Sequence, residues 1–541
     1  DKTGTITSNQ MELKGVYVFE ANRYYNIEVV TDAKGFDVVE AAMWASEPMP
    51  FDPMEKTIHR AFEKLAQSDR RKAYRMVHEY PLGGVPPMMT HVFEDAVGHR
   101  IIAAKGAPEA ILRVSRLEDK QAEAARKMLD ELSGKGYRVL GVVTSAFAGN
   151  HYPDNQEDLP FTFLGFVAFE DPPKKGIDEI FRQFYEAGID LKIITGDNAL
   201  TTKAIARAAG LRNPDSCIDG DELMQLDPGD FKEKVKSTSI FTRMFPEAKL
   251  AAIDALKAED EVVAMVGDGV NDGPALKSAH IGIAMGQRGT EIAKAAADLI
   301  LVQDDFARMV EAVATGRRIY DNLKKAVQYI ISIHIPIILT VSLPLFFGWV
   351  YPDIFTPVHV IFLELVMGPT CSIVYENEPM EKNTMQRPPR ALTDTFLNGR
   401  ELMTSILQGL VITVGVLGMY RYAVSQGGSE EFTRTMVFTT LVLANVFLSL
   451  VNRSFYFSVL ETLRYKNRLL VGILLISLMM LTLMLYVDPV TSFFHLMTPH
   501  WIDLLKCAGV AAISVLWFDV VKLINGRGSA QVSRVRTKPS A

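Results

Sequence analysis

Apolar positions follow two regimes along this chain of 541 residues. Up to about Arg318, short apolar runs alternate with amphipathic stretches; beyond Lys325, long apolar runs dominate. Six of these, Ala326–Val350, Thr356–Tyr375, Leu402–Ala423, Thr433–Leu450, Leu469–Val487 and Ile502–Ile524, approach the ~20 residues that cross a hydrocarbon core of ~30 Å. They predict an all-α membrane domain of six helices over 316–525, followed by a basic tail over 526–541. The second and fourth runs are the least apolar.

The connections fix an orientation. Arg317, Arg318, Lys324 and Lys325 precede the first run, and Lys382, Arg387, Arg390 and Arg400 follow the second. Arg453, Arg464, Lys466 and Arg468 follow the fourth, and Arg527, Arg534, Arg536 and Lys538 form the tail. Tyr351–Pro357, Val424–Phe432 and Asp488–Trp501 hold no Lys or Arg. This asymmetry predicts that the basic connections and the soluble half face the cytoplasm.

Charge and composition narrow the class. A net charge of -7 and a pI near 5.9 argue against a nucleic-acid partner. Cys217, Cys371 and Cys507 are too scattered for a disulfide framework or a CxxC metal site.

In the soluble half, Leu191–Ile194 runs into Thr195-Gly196-Asp197-Asn198, with a helical pattern from Thr201. Val262–Val266 runs into Gly267-Asp268-Gly269-Val270-Asn271-Asp272, and Ile281–Ala284 and Leu299–Val302 read as further buried strands. Strand, polar loop and helix in repetition predict a doubly wound α/β sheet with its site at the strand C-termini. The opening Asp1-Lys2-Thr3-Gly4-Thr5 would converge there too. Asp1 can act as a nucleophile and form an acyl phosphate. Asp268 and Asp272 can supply oxygen ligands to Mg²⁺. Thr195, the open backbone at Gly196, and Lys249 can bind phosphoryl oxygens.

These motifs resemble those of P-type ATPases, the ion pumps whose catalytic domain is similar to haloacid-dehalogenase phosphotransferases. The resemblance implies a doubly wound, Rossmann-like phosphorylation domain over 1–10 and 161–315, and an inserted α+β nucleotide-binding domain over 11–160. It implies ATP and Mg²⁺ as cofactors. Asp1 is then the phosphorylated residue, Thr3 offers its carbonyl to Mg²⁺, and Asp268 is the Mg²⁺ ligand. Thr195 and Lys249 bind phosphate, Asn271 and Asp272 support them, and Asp171-Pro172-Pro173 is a hinge. Thr3 also stands where related phosphatases keep an acid/base Asp, so the acyl phosphate should hydrolyse slowly unaided.

By the same resemblance, Lys105-Gly106-Ala107-Pro108-Glu109 is the adenine-site lysine loop. Gly136-Tyr137-Arg138-Val139-Leu140 is the arginine segment toward the nucleotide phosphates. Phe51-Asp52-Pro53-Met54-Glu55-Lys56 offers Glu55 or Lys56 on the adenine side. The stretch Tyr80–Thr90 departs from the family: Leu82 replaces the adenine-stacking Phe and Pro86-Pro87 replace a basic pair. Tyr80 is expected to stack on adenine instead.

Gly316–Lys325 and Arg387-Pro388-Pro389-Arg390 resemble type II pumps such as calcium pumps. Ionisable groups at membrane depth are functional candidates, so Glu364 and His334 are expected at the ion path, with Asn445 a further oxygen ligand. His334 is equally readable as the partner of Glu364. Gly368-Pro369 should break the second membrane helix and free carbonyls. Ca²⁺ is favoured, with Mn²⁺, a monovalent cation or H⁺ open. The expected location is a bacterial-type plasma membrane.

Two other readings compete: a membrane-tethered phosphatase without transport, and an inactive remnant. The resemblance implies an actuator segment and membrane helices ahead of Asp1. Without an upstream strand, the 541-residue piece is expected to be destabilised and inactive in transport.

Overall fold

Period-two alternation builds an antiparallel sheet in the N-terminal part of the chain. The computed structural model describes residues 2, 4–8, 10–29, 33–66, 68–84, 86–149, 151–369 and 373–535. Two compact units divide the chain, Asp1–Val310 and Glu311–Ala541.

In the first unit, strands β1 (Glu12–Val18), β2 (Arg23–Asn26), β3 (Tyr74–Gly83), β4 (Met88–Asp95), β5 (Arg100–Gly106), β6 (Arg138–Ser145) and β7 (Phe161–Glu170) form one sheet, ordered β2-β1-β7-β6-β5-β4-β3. One face packs Phe93, Ala103, Val142 and Val167 against Val38 and Val39 of helix Ala33–Trp44 and Ile58 and Phe62 of helix Pro53–Leu65. The other packs Val92, Ile102, Ala104 and Val143 against helices Pro108–Val114 and Asp119–Gly134. Both faces are covered, so β4 is buried from Met88 to Phe93, with the polar Thr90 and His91 included. β7 carries this antiparallel body ten residues past the boundary expected at 160. Its Phe166, Val167, Ala168 and Phe169 match either sheet type, so the apolar pattern alone could not assign the strand.

Six short strands follow: β8 (Ile193–Ile194), β9 (Cys217–Asp219), β10 (Ile240–Thr242), β11 (Ala264–Gly267), β12 (Ile281–Met285) and β13 (Leu299–Leu301). All pair in parallel, with helices in the connections, as parallel crossovers require. They form two three-stranded sheets, β8-β10-β9 and β11-β12-β13, where one doubly wound sheet was expected. Among the described residues, β8 and β11 each pair on one side only. The segment after β7 is fastened to the chain start: Ser8 N–H donates to Pro172 O at 2.9 Å, and Lys174 N–H to Ile6 O at 2.9 Å.

The C-terminal part is helical: Ala307–Phe346, Pro357–Pro369, Gly399–Ser425, Glu430–Val451, Arg468–Tyr486 and Trp501–Val535. Asn398, Ser429 and Asn467 cap three of these with their side-chain oxygens. Among the described residues, five helices are long and apolar enough to cross a membrane. The expected second span is described as a helix over Pro357–Pro369. Thr370, Cys371 and Ser372 lie outside the described residues, so the expected Gly-Pro break falls at the edge of what is described. The expected tail is helical as far as Val535, and Arg536 and Lys538 lie outside the described residues.

Candidate active site

Three loops of the first unit meet. Asp1 and Thr3 lie outside the described residues, but their neighbours locate the opening motif. Lys2 is buried and ion-paired with Asp197 of the Thr195-Gly196-Asp197 loop. Gly4 has φ +74°, and a Cβ there would stand 2.8 Å from Oδ2 of Asp268, the first acid after β11. A side chain at Gly4 would thus be both strained and blocked. Sequence reading had assigned no role to either Lys2 or Gly4.

The turn after β11 is built by Gly267 and Asp272. A Cβ on Gly267 would meet the Asp272 Cβ at 2.6 Å, so glycine lets the acid fold back. Asp272 Oδ2 accepts from Gly269 N–H at 3.2 Å, and its Oδ1 receives the Lys249 ammonium at 2.6 Å. Lys249 sits in helix Pro246–Ala258, whose Pro246 starts the first turn. Asn271 is exposed in the intervening turn. Thr195 is buried and its hydroxyl accepts from Asp197 N–H at 3.2 Å, while a Cβ on Gly196 would meet nothing within 4 Å. Open space therefore lies in front of that backbone.

Electrostatics separate the three acids. Burial acts to raise the Asp197 carboxyl, but Lys2 and Arg138 hold it below the usual carboxylate range. Burial likewise opposes charge on Asp272, and Lys249 outweighs it, so Asp272 is also depressed. Asp268 goes the other way, pushed up by burial and then by the neighbouring Asp272 charge. A buried carboxyl whose charge is opposed by burial and by a neighbouring carboxylate, with a glycine keeping its oxygen clear of side chains, fits a hard divalent cation.

Arg138 reaches the same place. Lys2, Gly136, Arg138, Asp171, Asp197 and Thr201 line one crevice, and the Thr201 hydroxyl donates to Tyr137 O at 3.2 Å.

The adenine-side candidates form a second cluster. Asp52 caps helix Pro53–Leu65 through Met54 N–H at 2.8 Å, which aims Glu55 at the sheet. Lys105 of β5 donates to Glu55 Oε1 at 2.7 Å and to Ala45 O at 2.6 Å, and burial pushes its ammonium pKa down. Lys56 is exposed. Gly106 is required by close approach, since a Cβ would lie 2.5 Å from that of Met88. Tyr80 does not join them, which corrects its expected stacking role. It pairs with Thr90, whereas Lys105 pairs with Met89, so alternation puts the two on opposite faces of the sheet. The Tyr80 ring is buried and its hydroxyl donates to Pro153 O at 2.5 Å.

In the second unit, His334 Nε2 lies 3.1 Å from Glu364 Oε1, and its Nδ1 lies 2.8 Å from Ile330 O. Asn445 is buried and accepts from the Tyr329 hydroxyl. Sequence reading missed two buried ion pairs here. Lys325 meets Glu381 at 2.8 Å, and Arg453 meets Glu378 at 2.7 Å, with Asn467 donating to the other Glu378 oxygen at 2.7 Å. The Lys325 and Arg453 charges had read only as topology signals.

Comparison with known proteins gives these sites a family. The haloacid dehalogenase-like hydrolase model matches residues 1–280, and the model for the C-terminus of cation transporting ATPases matches 352–524. The chain is 30% identical over 556 residues to "Calcium-transporting ATPase 1" of Lactococcus lactis subsp. lactis, covering 97% of this chain and 62% of that relative. It is 28% identical to "Calcium-transporting ATPase" of Bacillus subtilis, covering 95% and 62%, and 28% identical to "Calcium-transporting ATPase type 2C member 1" of Bos taurus, covering 97% and 58%. The chain thus spans about three fifths of the length of these relatives. The chain belongs to the haloacid dehalogenase-like hydrolases, and its C-terminal part is similar to the C-terminus of cation transporting ATPases. It is an integral, multi-pass membrane protein.

Proposed function

We propose that this chain carries the catalytic and ion-binding parts of an ATP-driven cation pump that turns over through an aspartyl phosphate on Asp1. The observation behind this reading is that Lys2 pairs with Asp197, Gly4 abuts Asp268 and Lys249 pairs with Asp272, while the Lys249 charge acts on both Asp197 and Asp268. An Asp1 carboxylate oxygen attacks the γ-phosphorus of ATP as the bond to the β–γ bridging oxygen breaks and ADP leaves, while Thr195, the Gly196 backbone and Lys249 take up the phosphoryl oxygens. Asp268, with Asp1 and the Thr3 carbonyl, would hold Mg²⁺, which when bound offsets charge on the phosphoryl oxygens. With Thr3 in place of an acid/base Asp, hydrolysis waits on a base from elsewhere. This argues against a simple phosphatase.

For the nucleotide, Lys105 and Glu55 serve the adenine side and Arg138 the phosphates. The segment 11–170 would then be the nucleotide-binding domain, inserted into a phosphorylation domain. Phe51 stands next to the helix cap Asp52 and is 77% exposed, so it supplies the aromatic face that Tyr80 does not.

The transported ion is read as Ca²⁺, the cation in the relatives' names, and the oxygen chemistry of Glu364 is compatible with it. His334 is its partner and Asn445 a neighbouring candidate. The soluble unit then faces the cytoplasm. ATP-driven uptake of radioactive Ca²⁺ into inverted vesicles tests this. Glu364→Gln should abolish uptake while ATP still binds, and uptake equal to the parent's would reject the site.

A further inference from the structure

His91 on β4 is 0% exposed and takes no part in the chemistry above. Its Nδ1 lies 3.2 Å from Ser46 O, so that nitrogen carries the proton and donates to the carbonyl. Nε2 is then a bare lone pair, buried, with no hydrogen-bond partner among the described residues. A buried acceptor left in that state is costly and calls for an explanation. Two carboxylates stand beside it. Glu79 on β3 is the direct cross-strand partner of His91, which puts both side chains on one face of the sheet. Glu47 follows Ser46, so the residue that orients the ring adjoins one that supplies an acid. The ligand atoms of Glu47, Glu79 and His91 all lie within 4.8 Å of one another.

From this geometry we propose that Glu47, Glu79 and His91 form a site for a divalent first-row transition cation of the Zn²⁺ type, separate from the Mg²⁺ and transport sites. The carbonyl bound to Nδ1 fixes the tautomer and leaves Nε2 as the ligating nitrogen, the usual support of a metal-bound histidine. Burial, and then Lys105, lower the His91 pKa against the pull of the two glutamates, keeping the ring in its neutral, ligating form. One imidazole with two carboxylates suits Zn²⁺, whereas Mg²⁺ and Ca²⁺ take oxygen shells. The site also touches the adenine-side cluster: Glu47 N–H donates to Glu55 Oε1 at 3.4 Å, and the same oxygen binds Lys105. On the nucleotide reading above, bound cation would stiffen the lysine's counter-ion.

Zn²⁺ affinity of the detergent-solubilised protein, measured by competition with a chromophoric chelator in millimolar Mg²⁺, tests the site without reference to ATP. The parent should bind one Zn²⁺ that Glu79→Gln and Glu47→Gln each weaken roughly tenfold or more. Glu79 is exposed, so Glu79→Gln should keep the parent's circular dichroism. X-ray absorption of the zinc-loaded parent should show one imidazole among oxygen ligands. Unchanged affinity in the Glu47→Gln/Glu79→Gln double variant, or an all-oxygen shell, would overturn the proposal. Nucleotide binding measured with Zn²⁺ present and absent reads the coupling separately, so a failed ATP assignment leaves the metal result standing.

Discussion

Lys249 and Asp272 form a buried ion pair with Nζ 2.6 Å from Oδ1, and both side chains are less than a tenth exposed. A pair like this is held by mutual need more than by net gain. Truncating one partner leaves the other charged in a low-dielectric site. Lys249→Ala should therefore cost about 3–5 kcal/mol in denaturant unfolding, in the range measured for broken buried pairs. Lys249→Met combined with Asp272→Leu should cost much less. Equal losses would mean that the pair is not coupled.

Asp272 and Asp197 have carboxyls held below the ordinary range. The stability they contribute is complete above the ordinary carboxylate pKa and is lost as pH falls through their lowered values. Asp268 is raised, so it favours the native state when protonated and loses that contribution as pH rises through its raised pKa. Without metal, Asp268→Asn should raise the melting temperature at neutral pH. With Mg²⁺, the parent should be stabilised and the variant should not. Mg²⁺ stabilisation of Asp268→Asn equal to the parent's would place the cation elsewhere.

Gly4 adopts φ +74° against the Asp268 carboxylate. Gly4→Ala adds a left-handed penalty of about 1–2 kcal/mol and drives a methyl into the acid's oxygen. Mg²⁺-dependent stabilisation should disappear in this variant, as read by differential scanning fluorimetry. A variant that responds to Mg²⁺ like the parent would remove Gly4 from the site.

On the proposed nucleotide reading, Tyr80 has a structural role and Phe51 a binding one. Tyr80→Phe loses the hydrogen bond to Pro153 and should cost about 1 kcal/mol of stability with nucleotide affinity unchanged. Phe51→Ala should weaken nucleotide binding with little effect on stability, because the ring is exposed. Titration with a fluorescent ATP analogue checks both, and the opposite pattern would restore Tyr80 to the adenine site.

The strand-loop-helix order was legible because each loop announces itself by a glycine next to an acid, as in Gly267-Asp268 and Gly196-Asp197. The motifs therefore landed on strand ends β8 and β11 as expected. Face assignment was harder. Tyr80 and Lys105 are far apart in sequence, and only the register of β3, β4 and β5 reveals that they lie on opposite sides of the sheet. The β7 boundary failed for a related reason, since a strand buried on both faces has no alternation to read. Buried acids such as Glu378 were invisible for want of their partners: Arg453 is far along the chain, and only folding brings it to 2.7 Å.

The central claim is that Asp1 accepts phosphate. Membranes containing the protein, given ATP labelled on its terminal phosphate with Mg²⁺ and quenched in acid, should yield a labelled band that hydroxylamine releases and that Asp1→Asn lacks. No label in the parent, or equal label in Asp1→Asn, would contradict the assignment.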